Sequence, residues 1–295
     1  MNSKGRWDIM NSKIRLMTHN VWNFDSNSRE WEKRGMNCSA ATRVGGLLRV
    51  YRETCPDIIG GQEVSALMAD LLKEGFQSEK VNYTLIWGRF TPILYRADKF
   101  ELLDSEFGTY PEKIEGLEGS FNDVRSKSWN LGVFREKGSG RTFVFATTHL
   151  WWKKSPGGER DDGLPGYQEG SDEAREWQIS HLIKKIDGYR ERYGCPAVLV
   201  GDMNAAYNSP AMRYVRSHGY RHAHDIATEY ADEAVGYHYC FPSGFESKYY
   251  EWPFEEAIDH IYVAGEGEVV RFERFSPDWY FPISDHSAAY IDLEL

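Results

Sequence analysis

The feature that most constrains the fold of this chain is VLVGDMNAAYNSP at 198–210, an apolar run that delivers Asp202 and Asn204 to a loop. A continuous apolar run bounded by turn residues is the pattern of a buried strand. Side chains two residues apart on extended backbone leave on the same side, so a carboxylate and an amide emerge together at the strand end. The pattern recurs along the chain. IRLMTH runs into Asn20, PDIIGGQ into Glu63, RTFVFATT into His149, and FPISDHSAAY carries Asp285 and His286. EEAIDHIYV adds Asp259 beside His260. Carboxylates, carboxamides and imidazoles brought repeatedly to strand ends suit a hard divalent cation and proton transfer.

The segments between them alternate. TRVGGLLRVYRETC predicts a helix stopped before Pro56, whose ring cannot continue it. A short helix is expected at 65–73. YTLIWG, TPILYR, FELLDSEFGTY, SWNLGVF and TFVFATTHL then read as strands joined by Gly, Asp and Lys turns, an antiparallel meander. SDEAREWQISHLIKKIDGYRERYG predicts the longest helix, with Ser171 as N-cap, an acidic first turn and a stripe of Trp177, Ile179, Leu182, Ile183 and Ile186. Strand runs interrupted by helices predict sheet packed on sheet with helices outside. No polar linker divides the 295 residues, of which 41% are hydrophobic, so we expect one domain over 14–295 behind a flexible segment at 1–13.

Charge narrows the partners. Against 35 basic residues stand 45 acidic ones, a net charge of -10, which disfavours a nonspecific binder of duplex DNA. A bound metal ion reverses that sign locally, so nucleic acid stays a possible but disfavoured partner beside a phosphate-ester substrate. The four cysteines lack the paired spacing of a metal site. No stretch approaches the roughly 20 apolar residues of a membrane span. The chain therefore reads as soluble and cytoplasmic, or as secreted if a leader was removed, and no protein partner is evident. P-loop, GxSxG and HExxH patterns are absent, which excludes the nucleotide-triphosphatase, serine-hydrolase and zinc-protease classes that carry them.

The ordered set THNVW, GGQEV, TTHLWW, GDMN, IDHIYV and SDH, spanning about Ile14 to Leu295, resembles the endonuclease/exonuclease/phosphatase superfamily of metal-dependent phosphoesterases. The resemblance implies an α/β fold of the DNase I-like kind, a four-layer sandwich of two stacked mixed β-sheets flanked by helices. It implies that Glu63, with Asn20 and Asp285, holds Mg2+ or Mn2+. It gives Asp202 the attacking water to orient or deprotonate, and Asn204 the nucleophile or phosphate to hold. Asp259 would accept the proton on one nitrogen of His286, making the imidazole a proton carrier. His149 would hydrogen-bond the phosphate or assist the leaving oxygen. Arg175 and Gln178 resemble the family's R-x-x-Q helix, which implies that Arg175 positions the loop at a strand end. Where exonuclease III-like members carry an aspartate two residues after the asparagine, this chain has Trp22, so one of their ligands is missing.

Weaker candidates for substrate contact are Arg125 and Asn130 before the central strand, and Trp151 and Trp152 after His149, whose rings suit stacking on a base, a sugar face or an inositol. The expected function is metal-assisted hydrolysis of a phosphodiester or phosphomonoester by in-line water attack, on a small molecule or a lipid or sugar headgroup. A nuclease acting on single-stranded DNA or RNA is the alternative, and a catalytically silent binding module on the same fold is a second. The choice between Asp202 and the Asp259–His286 pair as general base is open at this level, as is the number of metal ions.

Overall fold

Each apolar run becomes a strand, and the runs sort into two sheets. The structure is a computed structural model describing residues 13–33, 35–158, 161, 163–230, 239–240, 255–275, 277–280 and 282–295. Its elements begin with β1 (Lys13–Asn20), α1 (Arg29–Lys33), α2 (Ala40–Thr54), β2 (Ile58–Gln62) and α3 (Ala66–Ser78). The meander follows as β3 (Tyr83–Ile86), β4 (Ile93–Arg96), β5 (Phe100–Thr109), β6 (Ser128–Glu136) and β7 (Thr142–His149). Then come α4 (Ser171–Tyr193), β8 (Ala197–Asp202), α5 (Pro210–Ser217), β9 (Tyr220–His222), α6 (Ala223–Ile226) and β10 (Glu229–Tyr230). The described chain closes with β11 (Tyr239–Cys240), β12 (Glu255–Glu256), β13 (Asp259–Ala264), β14 (Glu268–Phe275) and β15 (Ala288–Glu294).

One sheet runs β10-β14-β15-β1-β2-β4-β3 and the other β5-β6-β7-β8-β13-β9, while β11 and β12 pair with each other. Both large sheets are mixed. β1 is parallel to β2 and antiparallel to β15; β7 is parallel to β8 and antiparallel to β6. Residues 1–12 of the expected N-terminal segment lie outside the described residues, and Lys13, assigned to that segment, already pairs with Glu294.

The two-residue period of each strand divides its side chains between layers. Val198 and Val200 of β8 join Ile14 and Leu16 of β1, Phe143 and Phe145 of β7 and Ile261 and Val263 of β13 in the core between the sheets. Ala197 and Leu199 point the other way, against Ile179, Leu182, Ile183 and Ile186 of α4 and Met212 and Val215 of α5. On the opposite outer face Met17 and Ile59 pack with Leu47, Val50 and Tyr51 of α2 and with Met68 and Leu72 of α3. The result is the expected four-layer sandwich.

Two details of α4 depart from the sequence reading. Ser171 is the first helical residue, and the cap position belongs to Gly170 at φ 74. Ser171 Oγ donates instead to the Gln168 carbonyl at 2.7 Å. Trp177 is 37% exposed and stacks on His181 rather than joining the buried stripe, which Gln178 completes.

Toward one end the sheets are tied by polar contacts. Gln62 Nε2 donates across the sheets to Thr147 Oγ1 at 2.8 Å, and within the first sheet Thr18 Oγ1 donates to Gln62 Oε1 at 3.1 Å. The approach is close enough to require glycine, since a Cβ on Gly60 would lie 2.6 Å from a Val200 methyl and 2.7 Å from Thr147 Cβ.

Candidate active site

Strand register assembles half of the site. Across the second sheet Ser128 pairs with His149, His149 with Asp202, and Asp202 with Asp259, a single row at the strand ends. The first sheet delivers Asn20 beside Gln62, and Glu63 follows directly. The turn that starts at Asp202 depends on Gly201, at φ 152, where an added Cβ would sit 2.1 Å from the Thr148 carbonyl oxygen.

Asn20 connects the two sheets' contributions. Its Nδ2 donates to Asp202 Oδ2 at 2.9 Å and to Glu63 Oε1 at 3.3 Å, while its Oδ1 accepts from the Trp22 amide at 3.0 Å. The side chain thus offers nitrogen, not oxygen, to the acid cluster. Glu63 Oε2 accepts from the Asn23 amide at 2.9 Å. Asp202 Oδ1 accepts from the Asn204 amide at 2.9 Å, and Asn204 Nδ2 reaches the Leu150 carbonyl at 3.0 Å. Trp22, Glu63 and Asn204 all hold positive φ, at 60, 58 and 47°. Left-handed backbone costs about 1–2 kcal/mol at Trp22 and at Glu63 and less at Asn204, since asparagine tolerates it, so strain concentrates where the carboxylates converge.

His286 is anchored on the other side. Its Nδ1 lies 2.7 Å from Asp259 Oδ2, and its Nε2 faces Asp202 Oδ2 at 3.9 Å and Asp285 Oδ1 at 4.0 Å. Ser284 Oγ donates to the Asn20 carbonyl at 2.7 Å and receives the His286 amide at 3.2 Å, fixing the SDH turn to β1. Buried Arg43 reinforces that join by donating to the carbonyls of Val21, Trp22, Cys38 and Ile283. Behind the turn, Tyr280 donates to the His286 carbonyl at 2.5 Å and meets His19 Nε2 at 2.7 Å.

The electrostatics follow from burial and these partners. Burial raises the Asp202 carboxyl to about 6, against the lowering influence of His286 and of Lys127. Burial lowers His286, but Asp259, Asp285 and Asp202 outweigh it and hold the imidazole well above its ordinary value. His149 is pushed well below its ordinary value by burial and by the Lys127 charge. Around neutral pH the site therefore contains a protonated His286 and a neutral His149.

Asn23, Glu63, Phe90, Asp123, Val124, Ser126, Lys127, His149, Trp152, Asp202, Asn204 and His286 line a cavity of about 490 Å3. Donor atoms of Glu63, His149 and Asp202 lie within 4.8 Å of one another, as do those of Asp202, Asp259 and His286. The second set is already joined by the Asp259–His286 bond, so the Glu63 and Asp202 oxygens are the pair better placed for an ion. Carboxylate oxygens suit Mg2+ or Mn2+.

The remaining expected residues divide. Trp152 lines the cavity and donates from Nε1 to Asp123 Oδ2 at 2.8 Å. Trp151 is buried against Phe121, outside the lining. Asn130 is buried and donates to the Ile86 carbonyl at 3.2 Å, and Arg125 is exposed at φ 60, neither facing the cavity. Arg175 grips the Trp151 and Lys153 carbonyls, while Gln178 Oε1 accepts the Trp151 amide at 2.9 Å, so this pair holds the loop that leaves His149. Sequence reasoning overlooked Lys127, whose Nζ lies 2.7 Å from His149 Nε2. The available signal was a lysine placed directly ahead of the buried strand SWNLGVF.

Two stacked mixed sheets with acid, amide and imidazole groups gathered on their strand ends make a phosphoesterase fold. The sequence matches the Endonuclease/Exonuclease/phosphatase family over residues 17–286, and the chain belongs to that family. Among solved structures, a family protein from Bacteroides thetaiotaomicron is similar with a TM-score of 0.72 and 18% identity, over 96% of this chain and 95% of that one. A mannosyl-6-phosphatase of the same organism gives a TM-score of 0.69 and 19% identity, over 96% and 100% of the two chains. TDP2 of D. rerio, complexed with a single-strand DNA product, gives 0.63 and 16%, over 96% and 100%. No curated protein matches the sequence at a significant level. Among the described residues no helix is long and apolar enough to cross a membrane.

Proposed function

We propose that this protein is a divalent-metal-dependent hydrolase of phosphate esters, acting by in-line attack of water on a small-molecule or headgroup substrate. The observation that carries this reading is the convergence of Glu63, Asp202 and the Asp259-bound His286 on one cavity. A cation held by the Glu63 and Asp202 oxygens would, when bound, neutralise nonbridging phosphate oxygens and stabilise the leaving oxygen. Asn20 keeps those two carboxylates together through its amide nitrogen. Asp202, buried and facing His286 Nε2 at 3.9 Å, orients the attacking water. His286 Nε2–H is the donor to the phosphoryl group. The 3.9 Å between Asp202 Oδ2 and His286 Nε2 lets the two address neighbouring oxygens, one on the attacking water and one on phosphorus.

The net charge of -10 and a cavity of about 490 Å3 support a small ester over duplex DNA. The likeness to a mannosyl-6-phosphatase accords with that choice, while the likeness to a structure holding single-strand DNA keeps a single-strand nuclease as the second reading. The test is hydrolysis of chromogenic phosphomonoesters and phosphodiesters with Mg2+ or Mn2+, before and after chelation. Chelation should abolish turnover, and Asp202→Ala and His286→Ala should each lower it by about 100-fold or more in folded protein. Turnover that survives chelation, or near-wild-type rates in either variant, refutes the assignment. Activity on single-stranded oligonucleotides that falls steeply with salt, set against weak activity on small esters, would favour the nuclease.

A further inference from the structure

We propose that Lys127 is a phosphate-binding residue of this cleft and that it, rather than His149, supplies N–H donors beside that of His286, an inference that rests on the phosphoesterase reading above. Lys127 is 4% exposed, yet it lines the cavity together with Glu63, His149, Asp202 and His286. A lysine ammonium has three N–H donors and no acceptor. One is committed to His149 Nε2 at 2.7 Å, and among the described residues no second protein acceptor bonds Nζ. Burial lowers the Lys127 ammonium, the Glu63, Asp202 and Asp123 charges support it, and its other two donors stand at the cavity wall.

That fixing is firm on the backbone side. The Lys127 amide donates to Asn122 Oδ1 at 2.9 Å, and its carbonyl accepts from Asn122 Nδ2 at 2.9 Å and from the Tyr110 amide at 3.0 Å. The stem therefore starts from a held point, and little ordering remains when an anion arrives. The residue sits at the end of a loop in which Val124 and Arg125 hold φ 43 and 60°, an unfavourable conformation for a β-branched residue.

The contact also dictates the state of His149. As an ammonium Lys127 can only donate, so His149 Nε2 accepts, and a neutral imidazole then carries its proton on Nδ1, a buried atom with no hydrogen-bond partner among the described residues. An accepting nitrogen cannot donate to a phosphoryl oxygen. The 3.5 Å from His149 Nε2 to Asp202 Oδ2 agrees, being too long for a hydrogen bond between them. His149 thus acts as a positioning residue for Lys127, and Lys127 contacts the nonbridging oxygen of the ester.

The test uses the full chain with Mg2+ and inorganic phosphate as the probe. Isothermal titration should show orthophosphate binding to the wild type, with affinity at least tenfold weaker in Lys127→Met and in Lys127→Gln at unchanged circular dichroism. The 15N shifts of His149 in the wild type should show the Nδ1–H tautomer, a measurement that stands even if both variants fail to fold. Equal phosphate affinity in a folded variant, no phosphate binding by the wild type, or an Nε2–H tautomer each overturns the proposal. Hydrolysis of p-nitrophenyl phosphate separates the two claims. Phosphate binding that depends on Lys127 without turnover on any ester removes the phosphoesterase reading alone, whereas wild-type kcat/KM in Lys127→Met removes the role of Lys127 alone.

Discussion

Replacing Asp259 with asparagine removes one negative charge from His286 while leaving an oxygen to accept its Nδ1–H, so tautomer and ring orientation are retained. The bond at stake is short, 2.7 Å, between a His286 side chain 16% exposed and an Asp259 side chain 6% exposed. A hydrogen bond to a charged group in such a setting contributes about 1.5–3 kcal/mol. At about 1.4 kcal/mol per decade of rate, exchanging it for a neutral bond about half as strong costs about 0.75–1.5 kcal/mol and lowers kcat by about 3- to 12-fold. The pH dependence fixes the sign. Asp259, Asp285 and Asp202 outweigh burial and raise His286, so the imidazolium persists to alkaline pH and is lost as pH climbs through that raised value. In Asp259→Asn the alkaline limb of kcat moves to lower pH, and the deficit against wild type widens as pH rises. Steady-state rates on a chromogenic phosphate ester at saturating metal, from pH 5 to 10, measure both. A variant within twofold of wild type, with its alkaline limb unmoved, would show that the Asp259 charge does not maintain the catalytic imidazolium.

The other predictions concern stability. Glu63 holds φ 58 to present its carboxylate, so Glu63→Gly should be about 1 kcal/mol more stable than Glu63→Ala by urea titration, with both inactive; an alanine variant of equal or greater stability would mean that no strain is stored there. His19, buried between Tyr51 and Tyr280, is pushed down to about 3 by burial. The unfolded chain then binds the extra proton first, so the stability held above pH 6.5 falls as pH drops toward 3. Between pH 6.5 and 5 His19→Asn should lose about 1.6 kcal/mol less than wild type, and parallel curves for the two proteins would count against a neutral buried His19.

The layers were legible because burial on both faces leaves a local trace. VLVGD, RTFVFATT and AIDHIYV declare themselves as strands, and α4 as an amphipathic helix, without reference to any distant residue. The pattern is blind to partners. Ser171 could be read as a cap only until Gly170 took the left-handed position, and Trp151 and Trp152 look equivalent in sequence, although one packs on Phe121 and the other lines the cavity. For the same reason Asn130 could be grouped with catalytic residues that it does not join.

The amino-acid order by itself determined which chemical groups stand at strand ends: Asn20, Glu63, His149, Asp202, Asp259, Asp285 and His286. Only the tertiary structure decided which of them meet, because strand register is a nonlocal pairing that no short window contains. It set His149, Asp202 and Asp259 in one row and turned the nitrogen of Asn20 toward the acids. It also brought Lys127, 22 positions away in the chain, to the imidazole of His149. That ammonium needs an acceptor inside a buried site, and the acceptor is supplied by the neighbouring strand, not by the lysine's own segment.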